Sequence, residues 1–168
     1  KDYTGALGHF RQIIKLLPDR PDGYLYAGIV SYDMGQANEA LKYYDKAIDL
    51  GPAAPLAYYY RGEVHSSLGH YETAIADFNQ CIALDPANTE AYLERANVYV
   101  KQGHLDQALQ DYNKIIGMYP TTGITYKYRG DLFKLQNKKA DACADWNKAK
   151  TLGITGLEDT LNKQCGNE

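Results

Sequence analysis

Three arginines in this chain are each followed, sixteen residues later, by an aspartate. The pairs are Arg61 with Asp77, Arg95 with Asp111, and Arg129 with Asp145. Opposite charges at one fixed spacing could form ion pairs, or they could carry acid–base chemistry in a catalytic site. No nucleophile or base repeats beside them. We therefore interpret the six residues as structural ion pairs.

The three cysteines fall into two groups. Cys81 stands three residues after an aromatic, where small residues are usual, which predicts a buried thiol. Cys143 and Cys165 would stand at equal distances from a turn near residue 154 if the helices there form an antiparallel hairpin. That placement allows a disulfide. Two reduced, packed thiols are the alternative, because the redox compartment is unknown.

The four histidines do not indicate a metal site. They are His9, His65, His70 and His104, and no acidic or thiol ligand accompanies them at a fixed spacing. The chain has no strand pattern followed by a Gly-rich phosphate loop. No Ser-His-Asp or Cys-His arrangement follows from the spacing either. We therefore predict no metal, no cofactor and no enzymatic activity.

All these residues except Cys165 belong to a motif that recurs every 34 residues from residue 1 to about 154, as the prolines show at Pro18, Pro52, Pro86 and Pro120. A small residue recurs at Ala6, Ala40, Ala74, Ala108 and Ala142. An aromatic follows it four residues later at Phe10, Tyr44, Phe78, Tyr112 and Trp146. Residues that can take the left-handed conformation closing a helix recur at Gly35, Gly69, Gly103 and Asn137. Each period is therefore predicted to be a helix, a tight turn and a second helix.

The combination of this period with its Gly, Ala, aromatic and Pro residues resembles the tetratricopeptide repeat family. The first helices carry the matching pattern, in Tyr24-x-x-Ala-Gly28, Tyr58-x-x-Arg-Gly62, Tyr92-x-x-Arg-Ala96 and Tyr126-x-x-Arg-Gly130. The resemblance implies an all-α fold, a right-handed α-α superhelix of antiparallel helix pairs. We expect a single domain over 1–168: the second helix of a truncated repeat at 1–20, complete repeats at 21–54, 55–88, 89–122 and 123–156, and a capping helix at 157–168.

The helix pair explains the spacing of the arginines and aspartates. Arg61 and Asp77 stand eight residues on either side of the turn residue Gly69, and the other two pairs have the same symmetry. Their side chains should therefore lie opposite each other across two antiparallel helices. We predict three Arg–Asp contacts, each worth about 0.2–1 kcal/mol if it is exposed.

Composition narrows the classes of partner. The chain has 168 residues and a formal net charge of −3. No apolar run is long enough to cross a bilayer, so no membrane span is expected. Charges of both signs are interspersed, without the basic stripe that phosphate backbones attract, so we do not expect nucleic acid as a partner. A protein or peptide segment is the expected partner.

Both ends of the chain are informative. Helix 2–17 opens the chain without the first helix of its repeat, which leaves Ala6, Phe10 and Ile13 without their usual partner. We expect either upstream repeats or a second copy of the chain to cover this face. At the other end, one face of a short helix carries the apolar residues and predicts a cap. This end resembles that of many exported bacterial tetratricopeptide repeat proteins, which favours the bacterial cell envelope or periplasm over the cytoplasm without fixing the location.

The family binds partners largely on one face of each first helix. Carrying those positions onto this chain predicts a groove of Tyr26, Ile29, Tyr32, Tyr59, Tyr60, Glu63, Glu94, Asn97, Lys101, Lys127, Tyr128 and Asp131, and the same face includes Asp22, Leu25, Leu56, Ser66, Glu90, Leu93, Ile124 and Lys134. Tyrosine offers a large contact area with a hydrogen-bonding tip, which suits a peptide-binding wall. The alternative is that several of these tyrosines only pack against neighbouring repeats.

One known partner class can be tested from the residues. Members of the family that receive a chaperone tail hold its terminal carboxylate with Lys and Asn at fixed groove positions. Asn97 and Lys127 fit, but the positions that should complete the set carry Ile29, Glu63, Leu25 and Tyr59. We therefore expect a segment with apolar anchors and some positive charge. The alternative function is an assembly or oligomerisation scaffold that acts through the uncovered N-terminal helix.

Overall fold

The structure is a computed structural model that describes residues 2–166. Over these residues the chain forms ten α-helices and no strand. They are α1 (Tyr3–Leu16), α2 (Pro21–Asp33), α3 (Ala37–Leu50), α4 (Pro55–Ser67), α5 (Tyr71–Leu84), α6 (Thr89–Lys101), α7 (Leu105–Met118), α8 (Gly123–Leu135), α9 (Lys139–Thr151) and α10 (Glu158–Cys165). Lys1, Asn167 and Glu168, which the first and last predicted segments include, lie outside the described residues. The prediction of an all-α fold is confirmed.

The turn inside each complete repeat is closed by a residue with positive φ. The angle is 76° at Gly35, 78° at Gly69, 76° at Gly103 and 58° at Asn137. Glycine adopts such angles without a steric penalty, and asparagine tolerates them better than most residues. The predicted turn residues are confirmed. They fold α2 against α3, α4 against α5 and α8 against α9.

Prolines separate one helix pair from the next. Pro18 stands two residues after the end of α1, and Pro52 two residues after the end of α3. Proline lacks the N–H that an interior helical residue donates, so a helix ends before it. Pro21 and Pro55 instead begin α2 and α4, because the first N–H groups of a helix have no intrahelical acceptor.

The residues up to Ala91 form the first of two compact units, here called the N-terminal unit. Its helices pack in chain order, with α1 on α2 and α3 on α4. The rings of Tyr44 and Phe78 are fully buried between helices. Gly28 lets α2 come close, since a Cβ atom there would lie 2.5 Å from Cε1 of Tyr44. A small residue facing a large ring therefore sets the distance between the paired helices.

The residues from Tyr92 onward form the second unit, here called the C-terminal unit. Trp146 of α9 is buried against Gly130 of α8. Leu157, directly before α10, is 2% exposed, and it packs with Trp146 in one hydrophobic cluster that Leu161 also contacts. α10 thus covers the apolar end of α9, and the predicted cap is confirmed. The assignment of the whole chain to one domain with the stated repeat boundaries stays a prediction.

Candidate binding surface of the first helices

All three Arg–Asp pairs are in contact across their helix pairs. They are Arg61 with Asp77, Arg95 with Asp111, and Arg129 with Asp145, each held by two bonds from the guanidinium to the carboxylate. In the first pair, Nε and Nη2 of Arg61 donate to Asp77 at 3.0 and 2.6 Å. The three carboxylates are between 4% and 6% exposed. Two parallel bonds compensate each carboxylate for the loss of water.

Arg61 and Arg129 also bind the second helix of the preceding repeat, which sequence reasoning missed. Nη1 of Arg61 donates to Oδ1 of Asp45 at 2.7 Å, and Nη1 of Arg129 donates to Oδ1 of Asn113 at 2.6 Å. The sequence did contain a signal for these contacts, because Asp45 and Asn113 occupy the same position in their repeats. Burial lowers the pKa of Arg61, but its bonds to Asp77 and Asp45 outweigh burial and raise that pKa. These arginines therefore join successive repeats.

The predicted groove tyrosines of the N-terminal unit pack on one face and remain partly exposed on the other. Tyr26 stacks on Phe10 with ring centroids 5.5 Å apart and is still 49% exposed. Tyr60 stacks on Tyr44 at 6.2 Å, and Tyr59 meets Tyr60 edge-on at 5.2 Å. Tyr59 and Tyr60 are both partly buried. These three groove tyrosines therefore combine packing with surface that a partner can reach.

An open cavity of about 440 Å³ lies between α4 and the residues that begin α6, all within the N-terminal unit. This feature, here called the α4 cavity, is lined by Leu56, Tyr59, Tyr60, Glu63, Asn88 and Glu90. Sequence reasoning missed Asn88, whose Oδ1 accepts from the backbone N–H of Ala91 at 2.9 Å. An asparagine just before a helix is a typical capping signal. Among the described residues that line the cavity, none carries a positive charge.

Tyr44 forms part of the floor beneath these tyrosines. It is fully buried, and its hydroxyl has no hydrogen-bond partner among residues 2–166. Burial, followed by the charge of Glu63, raises the pKa of Tyr44. Ile29 and Tyr32 are partly buried and pack against the same cluster as Tyr44. These two predicted groove residues therefore act mainly as packing residues.

In the C-terminal unit, the polar atoms of the aromatic side chains at the repeat position of Tyr44 have hydrogen-bond partners. The hydroxyl of Tyr112 donates to Oδ1 of Asn97 at 3.3 Å, and Nε1 of Trp146 donates to Oδ1 of Asp131 at 2.9 Å. Each acceptor stands fifteen residues before its aromatic. The residue at that spacing from Tyr44 is Ile29, which has no side-chain acceptor. Asn97 and Asp131 therefore support the core as well as standing on the predicted groove face.

The charged groove residues of the C-terminal unit are also engaged with one another. Nζ of Lys127 donates to Oδ2 of Asp131 at 2.9 Å and lies 5.2 Å from the centre of the Tyr128 ring. Glu94 accepts from Nδ2 of Asn97 at 3.5 Å. Lys101 is exposed at the end of α6. The two residues that fit a carboxylate clamp, Asn97 and Lys127, are thus both bound to neighbours.

The cysteines differ in state. Cys143 on α9 and Cys165 at the end of α10 are joined by a disulfide, with Sγ atoms 2.01 Å apart and Cα atoms 5.7 Å apart. This bond ties the capping helix to α9. Cys81 is a free, fully buried thiol, and burial raises its pKa to about 11. A thiol with so high a pKa is a poor nucleophile at neutral pH.

The face of α1 is less covered than the same face of the other second helices. Ala6 and Phe10 are only partly buried. The residues in register with them are 0% to 2% exposed, namely Ala40, Ala74, Ala108 and Ala142, and Tyr44, Phe78, Tyr112 and Trp146. Phe10 and Ile13 also line an open cavity of about 250 Å³ together with Tyr26. The start of the described chain therefore presents apolar surface.

Neither a membrane span nor a metal centre is found in the part of the chain that the structure describes. Within it, every helix is too short or too polar to cross a bilayer. The same residues contain no group of three or more His, Cys, Asp and Glu side chains that could hold a metal ion.

Comparison with known families agrees with the geometry. A family model described as "TPR repeat" matches residues 28–69 and 66–103, and one described as "Tetratricopeptide repeat" matches residues 89–122. The chain belongs to the tetratricopeptide repeat family. Members of this family are generally non-catalytic, and this chain is a protein–protein interaction module. No curated protein matches it.

Solved structures support the fold. A crystal structure of MamA is 25% identical, covers 96% of this chain and 92% of its own, and has a TM-score of 0.84. The structure titled "MamA 41-end from Desulfovibrio magneticus RS-1" is 20% identical, with coverages of 89% and 85% and a TM-score of 0.82. TTC0263, a thermophilic tetratricopeptide repeat protein of Thermus thermophilus, is 19% identical, with coverages of 98% and 90% and a TM-score of 0.73. The last two comparisons concern the fold alone.

Proposed function

We propose that this chain binds a segment of a partner protein on the exposed faces of its first helices, with the α4 cavity as the main contact. The observation that carries this proposal is the meeting of Tyr59, Tyr60 and Glu63 around one open cavity of about 440 Å³. Tyrosine rings offer large contact areas that lose little rotamer freedom on binding. Leu56, which is 45% exposed, adds apolar surface at the same place.

The charges favour one kind of partner. Glu63 and Glu90 line the cavity, and Asp22 and Asp33 are exposed on α2 of the same unit. A segment with apolar anchors and some positive charge would complement this surface. A chaperone tail is disfavoured, because Asn97 and Lys127 already bind Tyr112 and Asp131.

The proposal can be tested with a displayed library of random peptides selected against the immobilised chain. We expect selected peptides to bind the wild type, and Tyr59→Ala to weaken them at least about tenfold. Tyr119→Ala is a matched control, since Tyr119 is 48% exposed and does not line the α4 cavity. Circular dichroism of each variant separates lost binding from lost folding. A library without enriched peptides, or equal binding by folded Tyr59→Ala, would refute the proposal.

A specific observation favours a second function, assembly through α1. Ala6 and Phe10 are partly exposed at positions that are buried in every other repeat. A helix of a second copy, docked on this face, would bury them as the first helices bury their counterparts. In this alternative the chain acts as an oligomerisation scaffold.

A further inference from the structure

We propose that the α4 cavity is a subsite for an arginine side chain of the bound segment. This inference rests on the proposed function and specifies its ligand. The residues that line the cavity combine two tyrosine rings, an exposed leucine, an amide and two carboxylates. Each group matches one part of an arginine, namely its planar guanidinium or its apolar stem.

The aromatic walls suit a flat cation. The Tyr60 ring is held in place by its stacking on Tyr44, with ring centroids 6.2 Å apart. The Tyr59 ring stands edge-on to the Tyr60 ring, with centroids 5.2 Å apart, and its centroid lies 6.1 Å from that of the Phe78 ring. Rings fixed in this way lose little freedom when a ligand arrives. A guanidinium over the face of a tyrosine is attracted by the negative face of the ring, which is the cation–π interaction.

Two acidic side chains belong to the lining of the cavity. Glu63 and Glu90 line it, and Asn88 adds an amide. The nearest arginine in sequence, Arg61, is bound to Asp77 and Asp45 and does not line the cavity. Burial, followed by the charge of Glu63, raises the pKa of both Tyr44 and Tyr60. The charge of Glu63 therefore acts on the Tyr60 ring, which lines the cavity.

A further observation does not depend on these charges. The buried hydroxyl of Tyr44, whose ring stacks on that of Tyr60, lacks a hydrogen-bond partner within residues 2–166. The polar tip of Tyr112 at the same repeat position is paired with Asn97. A buried donor without an acceptor is uncommon in native proteins and calls for an explanation. Tyr60, which lines the cavity, therefore rests on a ring whose polar group has no partner within residues 2–166.

Arginine fits this cavity better than lysine does. Its fork of N–H groups can donate to more than one carboxylate while its plane rests on a ring. A lysine ammonium is a point charge that holds its water more strongly and does not stack. The methylene stem of arginine or of lysine can lie along Leu56. The preference for arginine over lysine therefore comes from the guanidinium group.

The test uses pools of ten-residue peptides that are random except for one fixed central residue: arginine, lysine, citrulline or leucine. Citrulline has nearly the shape of arginine but no charge. We expect the arginine pool to bind the whole chain at least about fivefold more tightly than the citrulline pool, with the lysine pool between them. Glu63→Gln and Glu90→Gln should each reduce this preference at least about threefold. Asp49→Asn is the matched control, because it removes one exposed charge of the same unit outside the cavity.

The possible failures are distinguishable. Equal binding of the arginine and citrulline pools, or a preference that survives in Glu63→Gln and Glu90→Gln, would overturn the subsite and leave groove binding intact. A preference that falls equally in Asp49→Asn would overturn it too, because net charge would then be the cause. The absence of binding by every pool would overturn both the subsite and the proposed function.

Discussion

At the scale of single residues, the guanidinium of Arg61 binds two carboxylates on two different helices. The side chain of Arg61 is 21% exposed. It binds the buried carboxylate of Asp77, whose side chain is 5% exposed, and the solvated carboxylate of Asp45, whose side chain is 59% exposed. The two contacts should differ greatly in their contribution. Removing the partner of a buried charge leaves that charge uncompensated, whereas an exposed pair exchanges its partner for water.

We expect Asp77→Ala to lower the free energy of unfolding by about 3 kcal/mol, because it unpairs the buried side of Arg61. Asp45→Ala should lower it by less than about 1 kcal/mol, because Asp45 is largely solvated. Urea denaturation followed by circular dichroism measures both values. Equal effects of the two substitutions would contradict this ranking.

The unpaired hydroxyl of Tyr44 leads to an unusual expectation. Tyr44→Phe should raise the free energy of unfolding by up to about 1 kcal/mol, because it deletes a buried donor that has no partner. Tyr112→Phe should lower it by about 1 kcal/mol, because it breaks the bond to Asn97. Thermal melts of the two variants beside the wild type provide the comparison. A loss of stability in Tyr44→Phe as large as that in Tyr112→Phe would count against an unpaired hydroxyl.

At the scale of helices, the approach of each pair depends on a missing side chain. A Cβ atom at Gly28 would lie 2.5 Å from the ring of Tyr44, and one at Gly62 would lie 2.8 Å from the ring of Phe78. Ala96 occupies the same position in the next repeat and packs in one cluster with Tyr112. A methyl group is therefore accommodated there where the aromatic ring takes a different place. The capping helix α10 is held differently, by the disulfide from Cys165 to α9.

Two glycine substitutions should therefore have opposite signs. Gly28→Ala should lower the free energy of unfolding by about 1 kcal/mol, since overpacking costs about 1–3 kcal/mol and the helix gains back up to about 1 kcal/mol. Gly8→Ala should raise it by about 0.5–1 kcal/mol, because a Cβ atom there meets nothing within 4 Å. Chemical denaturation distinguishes the two, and a stabilised Gly28→Ala would show that the ring moves aside freely.

Reduction should loosen the capping helix. The disulfide closes a loop with a sequence separation of 22 residues, for which chain entropy predicts a stabilisation of about 3 kcal/mol. We expect reductant to lower the melting temperature of the wild type. The double variant Cys143→Ala, Cys165→Ala should show no such response, since Cys81 is a free thiol. A wild type that melts alike with and without reductant would indicate that the cap does not depend on the bond.

At the scale of the whole molecule, the partly exposed face of α1 with Ala6 and Phe10 could join two copies of the chain. Light scattering at several protein concentrations would show a rising mass if a second copy binds there. In that case Ala6→Glu should abolish the rise, because it places a charge on the partly buried face. Gly8→Glu, which adds the same charge at an exposed position of α1, should leave it unchanged. A mass that stays monomeric at every concentration would reject the assembly function and leave groove binding as the remaining proposal.

The sequence by itself determined the features that depend on one helix pair. The period of 34 residues and the turn residues Gly35, Gly69, Gly103 and Asn137 specify the helices and their pairing, because a tight turn brings residues at equal distances from it together. The spacing of Arg61 and Asp77 follows from the same symmetry. The groove residues required more, since their assignment came from a family resemblance rather than from spacing.

Only the tertiary structure decided what depends on contacts between different repeats. The bond from Arg61 to Asp45 and the stacking of Tyr60 on Tyr44 both cross from one repeat to the next. The unpaired hydroxyl of Tyr44 and the place of Asn88 in the α4 cavity likewise depend on how side chains fill the space between helices. A one-dimensional pattern records which residues can pair across a turn. It does not record side-chain directions, and these determine which rings are buried and which remain available to a partner.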